Sequence, residues 1–237
     1  LWLLYLSVVT AGQTFLSFQW DILLLECGFL AIIFSPSVLF LRLDTPVKFS
    51  GGMLFLLRWL LFRLVFFSGV TKLASGDSAW WDLTALSFHY ETQPLSTWTA
   101  WYAHQIPIWF HRFSTGAMFG IELIAPFLIF GPRRLRYIAF ILISSLMILI
   151  ALTGNYTYFN VLTLVLCVLL LDDEIIRKII PFQWGKKHNS LSVHTKNSYL
   201  KKSSIFIFVS LVVILSASNT AMRYYPNFTP HALIQKI

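Results

Sequence analysis

Charge is scarce in this chain of 237 residues: Asp, Glu, Lys and Arg together make up 12% of it. A soluble domain carries about a quarter, so a water-facing globule is excluded. Only two cysteines are present, Cys27 and Cys167. They rule out a disulfide framework, and their apolar surroundings mark them as buried thiols. The apolar stretches lack the strict alternation of a half-buried strand, and lipid admits only helices or closed barrels. No serine has a Gly-x-Ser-x-Gly context, so a hydrolase of the nucleophile-elbow type has no support. A starting methionine is also absent: Leu1 already lies inside an apolar run, and the chain is expected to be a piece lacking some N-terminal residues. Residues 1–18 have neither a basic leader nor a small-x-small cleavage site, so they do not read as a signal peptide.

What the chain has instead is apolar and aromatic surface. The hydrophobic set reaches 57%, with 22 Phe, 9 Trp and 9 Tyr, and the mean hydropathy is +0.71. That mixture suits lipid-facing helices with interfacial aromatic belts, and it excludes disorder, coiled coil and collagen. A span needs roughly 17–25 apolar residues to cross about 30 Å of hydrocarbon. The windows that approach this are 1–18, 22–41, 53–70, 113–130, 137–153, 158–171 and 204–220. The expected fold class is therefore all-α: a polytopic transmembrane helical bundle of seven spans, residues 1–220.

Orientation follows from the basic residues. If successive connections alternate sides, one side holds 12 Lys and Arg, among them Arg42, Lys48, Arg133, Arg134, Arg136 and Lys178–Lys202, and the other holds 4: Lys72, Arg112, Arg223 and Lys236. The richer side is cytosolic. Residues 71–112 then form a lumenal or periplasmic cap, 172–203 a basic cytosolic loop, and 221–237 the start of a truncated extramembrane C-terminal region. The net charge of +8 is accounted for by this bias, so no nucleic-acid partner is expected. The basic loop reads as a solvated segment or as a contact for anionic lipid headgroups. The sequons at Asn155 and Asn227 fall on the lumenal side, and Asn155 is read as a helix-connecting residue close to the bilayer.

Charge within a span costs about 2.5–3.5 kcal/mol at a helix centre. Glu26, Arg58, Arg63 and Glu122 are so placed. Arg58 lies near the cytosolic end and can snorkel. Arg63 is expected to pair with Glu26 or Glu122 across helices, either as a structural ion pair or as part of a proton relay or substrate site.

The 71–112 segment is long for a loop and too aromatic for disorder. The turn Gly76-Asp77-Ser78, followed by Trp81, Asp82, Leu83 and Thr84, reads as the cap of a short helix. Pieces of the segment are expected to lie at the interface. Its titratable groups include Asp82, His89, Glu91, His104 and His111, and His104 and His111 are seven apart with Pro107 between them. A metal site or general base is conceivable there, but the spacing is wrong for zinc. No cofactor or metal is expected; hydrogen-bonded interfacial histidines are the simpler reading.

The string SGDSAWWDLTALSFHYETQPL at residues 75–95 resembles the lipase maturation factor family, whose members carry a Trp-x-x-Leu-Thr-Ala-Leu…His-Tyr-Glu-Thr-Gln core. The resemblance extends to FQWDILLLECGFLA at 18–31, RWLLFRLVFFSGVTKL at 58–73, WYAHQIPIWFHRFS at 101–114, ELIAPFLIFGPRRLR at 122–136, LTGNYTYFN at 152–160 and LLLDDE at 169–174. It implies a multi-pass membrane factor, in animals of the endoplasmic reticulum, that secreted lipases require to reach their active fold. The implied client is a secreted lipase or other exported protein, the implied setting the lipid bilayer, and no covalent chemistry is implied. In that family a soluble lumenal domain follows the last span, where this chain stops. For a bacterial source the inner membrane would be the location. The architecture is also distantly similar to gamma-carboxylases, which keeps open a membrane enzyme using His, Lys or Glu at the lumenal face, with His89, His104 or Lys72 as base. The favoured reading makes the cap a structured scaffold or binding surface. It comprises Trp81, Asp82, His89, Tyr90, Glu91, Thr92, Gln93, His104, Trp109 and His111, with no catalytic residue assigned.

Overall fold

The computed structural model describes residues 1–16, 18–35, 51–93, 95–179, 209–210 and 212–214, and every regular element among them is helical. The chain divides into two compact units, Leu1–Ser37 with Leu57–Phe182, and Val38–Leu56 with Gln183–Ile237. Within the second unit the described residues are 51–56, 209–210 and 212–214, all helical. The expected seventh window, 204–220, therefore lies largely outside the described residues, as do residues 36–41 of the second. The basic loop beyond residue 179 lies outside them entirely.

In the first unit, α1 (Trp2–Gly12) runs into a 3-10 turn (Gln13–Leu16), and α2 (Gln19–Phe34) packs back against α1. Asp21 sits in the first turn of α2, where the helix dipole favours a carboxylate. The long helix α3 (Gly51–Ala74), shared between the units, is followed by three short ones: α4 (Ser78–Trp81), α5 (Ala85–Thr92) and α6 (Trp98–His104). Then come α7 (Ile108–Leu128), α8 (Arg133–Thr153), α9 (Phe159–Val168) and α10 (Asp173–Ile179). Pro107 and Pro132 stand immediately before α7 and α8, where the missing N–H costs nothing.

Among the described residues, α3 and α8 are the helices long and apolar enough to cross a membrane. At 1.5 Å per residue they extend about 36 and 31 Å. Two expected windows shrink. The first yields only 11 helical residues before Gln13 takes a φ of 45°. The sixth begins at Phe159 and ends at Val168, with residues 169–171 in a turn.

α7, α8 and α9 pack in series. Small side chains sit at the contacts: Ala125, Ala139 and Cys167 are buried beside Ile129, Ile143 and Leu170. Small residues let backbones approach where lipid removes the hydrophobic drive. On α3, Phe62 lies 5.3 Å from the Phe127 ring and 5.5 Å from Phe130. Cys27 and Cys167 are buried free thiols. The outward face of α8 exposes Ile138, Ile141, Ile148, Leu149 and Leu152, an apolar exterior that water would not tolerate but lipid would.

At the end of α8 that carries its first turn, Asp172 accepts from the Tyr137 hydroxyl and from Arg136, both at 2.8 Å, and pairs with Arg133 at 2.8 Å. The Tyr137 hydrogen bond, then the Arg136 and Arg133 charges, hold its carboxyl below the ordinary range. Arg58 reaches the same end of α9, donating to the Leu169 carbonyl at 3.0 Å.

Candidate functional site

The segment between α3 and α7 is built from local capping. Gly76, at φ 75°, makes a turn that a side chain would strain. Asp77 then caps α4, its carboxylate accepting from the Ala79 N–H at 2.9 Å. Leu83, at φ 58°, makes the bend between α4 and α5 at some conformational cost. Asp82 stays exposed at the end of α4, and Trp81 points outward.

Helix α5 presents His89, Tyr90, Glu91 and Thr92, with Gln93 at its C-cap. His89 Nε2 lies 3.0 Å from the Tyr156 hydroxyl, the two rings stacked within 5° of parallel. Burial first, and the nearby Lys72 charge second, hold the His89 pKa below the ordinary imidazole value. Tyr90 packs its ring 5.7 Å from that of His111, and burial pushes its phenol pKa up. His111 is buried, with Nε2 3.4 Å from the His104 carbonyl. Glu91 is exposed and stands 3.5 Å from His104 Nε2. The Thr92 hydroxyl donates locally to the Phe88 carbonyl at 2.9 Å.

Gln93 reaches the end of α8. Its amide donates to the Thr153 carbonyl at 2.7 Å, while Thr97 donates to the Leu152 carbonyl at 2.9 Å and Thr99 donates to the same carbonyl. These are orphan carbonyls of the last turn of α8, and in apolar surroundings each unsatisfied group is costly. Gly154 is fitted to this arrangement, since a Cβ there would lie 2.7 Å from Gln93 Oε1. Gln93 is thus bonded to the α8 terminus and His89 to Tyr156 beyond it, while Tyr90 and His111 join His89 through ring contacts. Glu91 and His104 meet at the rim, and Trp81, Asp82 and Trp109 are exposed.

Arg63, Glu26 and Glu122, expected to pair within the spans, take part in two ion pairs. Arg63 is bonded to Glu26. Glu122, 2% exposed, is held instead by Lys72, whose Nζ lies 2.5 and 2.7 Å from its two oxygens. Ser68 contributes its hydroxyl to both, 3.1 Å from Nζ and 3.3 Å from the carboxylate. The Lys72 ammonium also lies 5.7 Å from the centre of the Trp80 ring, a cation–π distance. Close approach makes this possible: a Cβ on Gly69 would lie 2.9 Å from Leu123 and 3.1 Å from the Glu122 Cβ. Counting Lys72 as a loop charge hid this partner. The available signal was Ser68, Gly69 and Lys72 at i, i+1 and i+4, two of them on one helical face. Asp21 was likewise missed: it is buried and accepts from Tyr5 at 2.6 Å and Tyr158 at 3.2 Å.

Chemically, the arrangement offers hydrogen bonding, charge pairing and aromatic surface. Among the described residues no three His, Cys, Asp or Glu side chains are grouped to hold a metal ion. A cavity of about 460 Å³ opens beside α4 and α5, lined by Asp77, Trp80, Phe88, His89 and Thr92 among others.

Residues 1–178 match the family model described as the lipase maturation factor transmembrane domain. The chain is 54% identical over 215 residues to the "Lipase maturation factor 2" of Xenopus tropicalis, covering 90% of this chain and 29% of that protein. It is 51% identical over 183 residues to the human protein of the same name, covering 73% of this chain and 26% of that one. To the mouse "Lipase maturation factor 1" it is 40% identical over 181 residues, covering 76% of this chain and 31% of that protein. The chain thus spans between about a quarter and a third of these relatives' length. No solved structure matches it.

Proposed function

The chain belongs to the lipase maturation factor family, and from that premise we propose that it is the membrane-embedded part of a factor that brings secreted lipases to their active fold. The observation that carries this reading is the family match over residues 1–178. The relatives' names supply the client class, a lipase. In this reading the chain crosses the membrane seven times, within residues 1–220. Residues 71–112 form a structured cap on the lumenal side, and 172–203 a cytosolic basic loop. Residues 221–237 lead into an extramembrane region. The vertebrate sources of the relatives favour the endoplasmic reticulum membrane over a bacterial inner membrane. The cap acts as a scaffold: its polar side chains cap α8 and lock α5 to it, and its rim and cavity offer mixed polar and aromatic surface to a partner. The carboxylase-like alternative finds no support in these matches.

The test is rescue. In cells lacking the endogenous factor, the full-length protein containing this chain should restore the specific activity of a secreted lipase, measured per unit of lipase antigen. Secreted lipase that remains inactive in the presence of correctly localised, folded protein would contradict the reading.

A further inference from the structure

The hydrogen bonds that tie α6 to α8 also fix its height. Thr97 and Thr99, at the start of α6, bond to the Leu152 carbonyl, and α8 ends one residue later at Thr153. A helix of that length runs about 31 Å, close to the thickness of the hydrocarbon layer. The first turn of α6 is therefore held at the edge of the layer that α8 crosses. Along α6, Trp98, Trp101 and Tyr102 fall at i, i+3 and i+4 on one face, exposed by 78%, 62% and 61%. On the opposite side Ala100 is wholly buried. The start of α7 extends the exposed strip with Trp109 and Phe113, each 66% exposed. On α8 the strip continues into exposed Leu149 and Leu152. The helix α6 carries no Asp, Glu, Lys or Arg.

We propose that this face of α6 and the first turn of α7 is an interfacial anchor whose occupant is the phospholipid bilayer itself, at the leaflet where α8 ends. Indole and phenol rings, apolar in body and polar at one edge, favour that depth. α6 is bonded to Leu152, itself exposed on the apolar exterior of a candidate span, so lipid covering α8 lies beside α6. The anchor rests on the reading that α8 crosses the membrane. It goes beyond the scaffold reading by assigning the Trp98–Trp101–Tyr102 face to lipid and leaving the α4–α5 cavity to other partners.

The experiment uses the full-length protein in its native membranes, with p-benzoylphenylalanine introduced in place of Trp101, Leu149 or Phe88 in turn. All three are exposed aromatic or apolar positions, so the photoprobe is conservative. After irradiation, the phospholipid adduct is quantified by mass spectrometry. The expected result is adduct at Trp101 comparable to that at Leu149 and several-fold above that at Phe88. Lipid adduct at Leu149 without any at Trp101, or protein crosslinks alone at Trp101, would overturn the anchor while sparing the span. Absence of lipid adduct at Leu149 would overturn the spanning reading of α8, and the anchor with it.

Discussion

Replacing Lys72 by Met removes the charge that holds Glu122 and leaves the carboxylate buried. At an effective dielectric of about 20 the attraction between such charges a few ångströms apart is of the order of 4 kcal/mol or more. Removing one partner of a buried pair typically costs about 3–5 kcal/mol, because the other charge is left uncompensated. The Lys72 side chain is 22% exposed and that of Glu122 only 3%, so the loss is screened on one side and about 3 kcal/mol is expected. The same asymmetry sets the order of variants. Glu122→Gln leaves a flexible, partly exposed ammonium that can turn toward water, and it keeps a polar partner for Ser68, so it is expected to be the milder change. The double variant Lys72→Met/Glu122→Met, which leaves no charge behind, is expected to recover most of the stability. The assay is unfolding of the purified full-length protein in detergent, followed by the fluorescence of its tryptophans. The reasoning is refuted if Lys72→Met is harmless, or if the double variant is as destabilised as Lys72→Met alone.

Three further outcomes follow, two from the cap and one from the α3–α7 approach. Its stability should fall as pH drops below about 6.5: the folded-state pKa of His89 is depressed, so the unfolded chain gains a proton first and the stabilising difference is lost as pH falls through the folded value. Hydrogen exchange of α5 against pH reads this, and His89→Gln should flatten the profile. Gln93→Leu removes the donor to the Thr153 carbonyl at a cost of about 1–3 kcal/mol, and should raise exchange at the end of α8 and in the α8–α9 connection near Gly154 while leaving the start of α8 unchanged. Gly69→Val drives a side chain into Leu123 and Glu122, and is expected to lower the unfolding midpoint by more than Gly120→Val, where a Cβ meets nothing within 4 Å.

Hydropathy and breakers made α3, α7 and α8 readable, because each is a long apolar run bounded by Gly or Pro. The helix α9 was overestimated at its far end: residues 169–171 are as apolar as those before them, yet the helix stops at Val168 and the backbone turns there, which composition does not encode. The Arg63 partner was narrowed to Glu26 or Glu122 by depth alone, and the choice between them depends on which helix α3 faces at each level. That Lys72 reaches Glu122 follows from the close α3–α7 approach at Gly69, a tertiary fact across 50 residues of sequence. The stretch from His89 to Gln93 stood out in the sequence as polar side chains beside bulky rings. Its target did not, since capping carbonyls of α8 sixty residues away leaves no local trace.

We propose that the cap works as a scaffold for lipase maturation. The most direct measurement is the specific activity of the secreted lipase in cells whose only source of the factor is the full-length protein carrying His89→Gln. The substitution removes the titrating imidazole but keeps a side chain able to hydrogen-bond Tyr156. A scaffold should lose activity by a modest, graded amount, with normal folding and localisation. Complete loss of lipase maturation by a variant that folds normally would contradict the account and point to a catalytic role for His89.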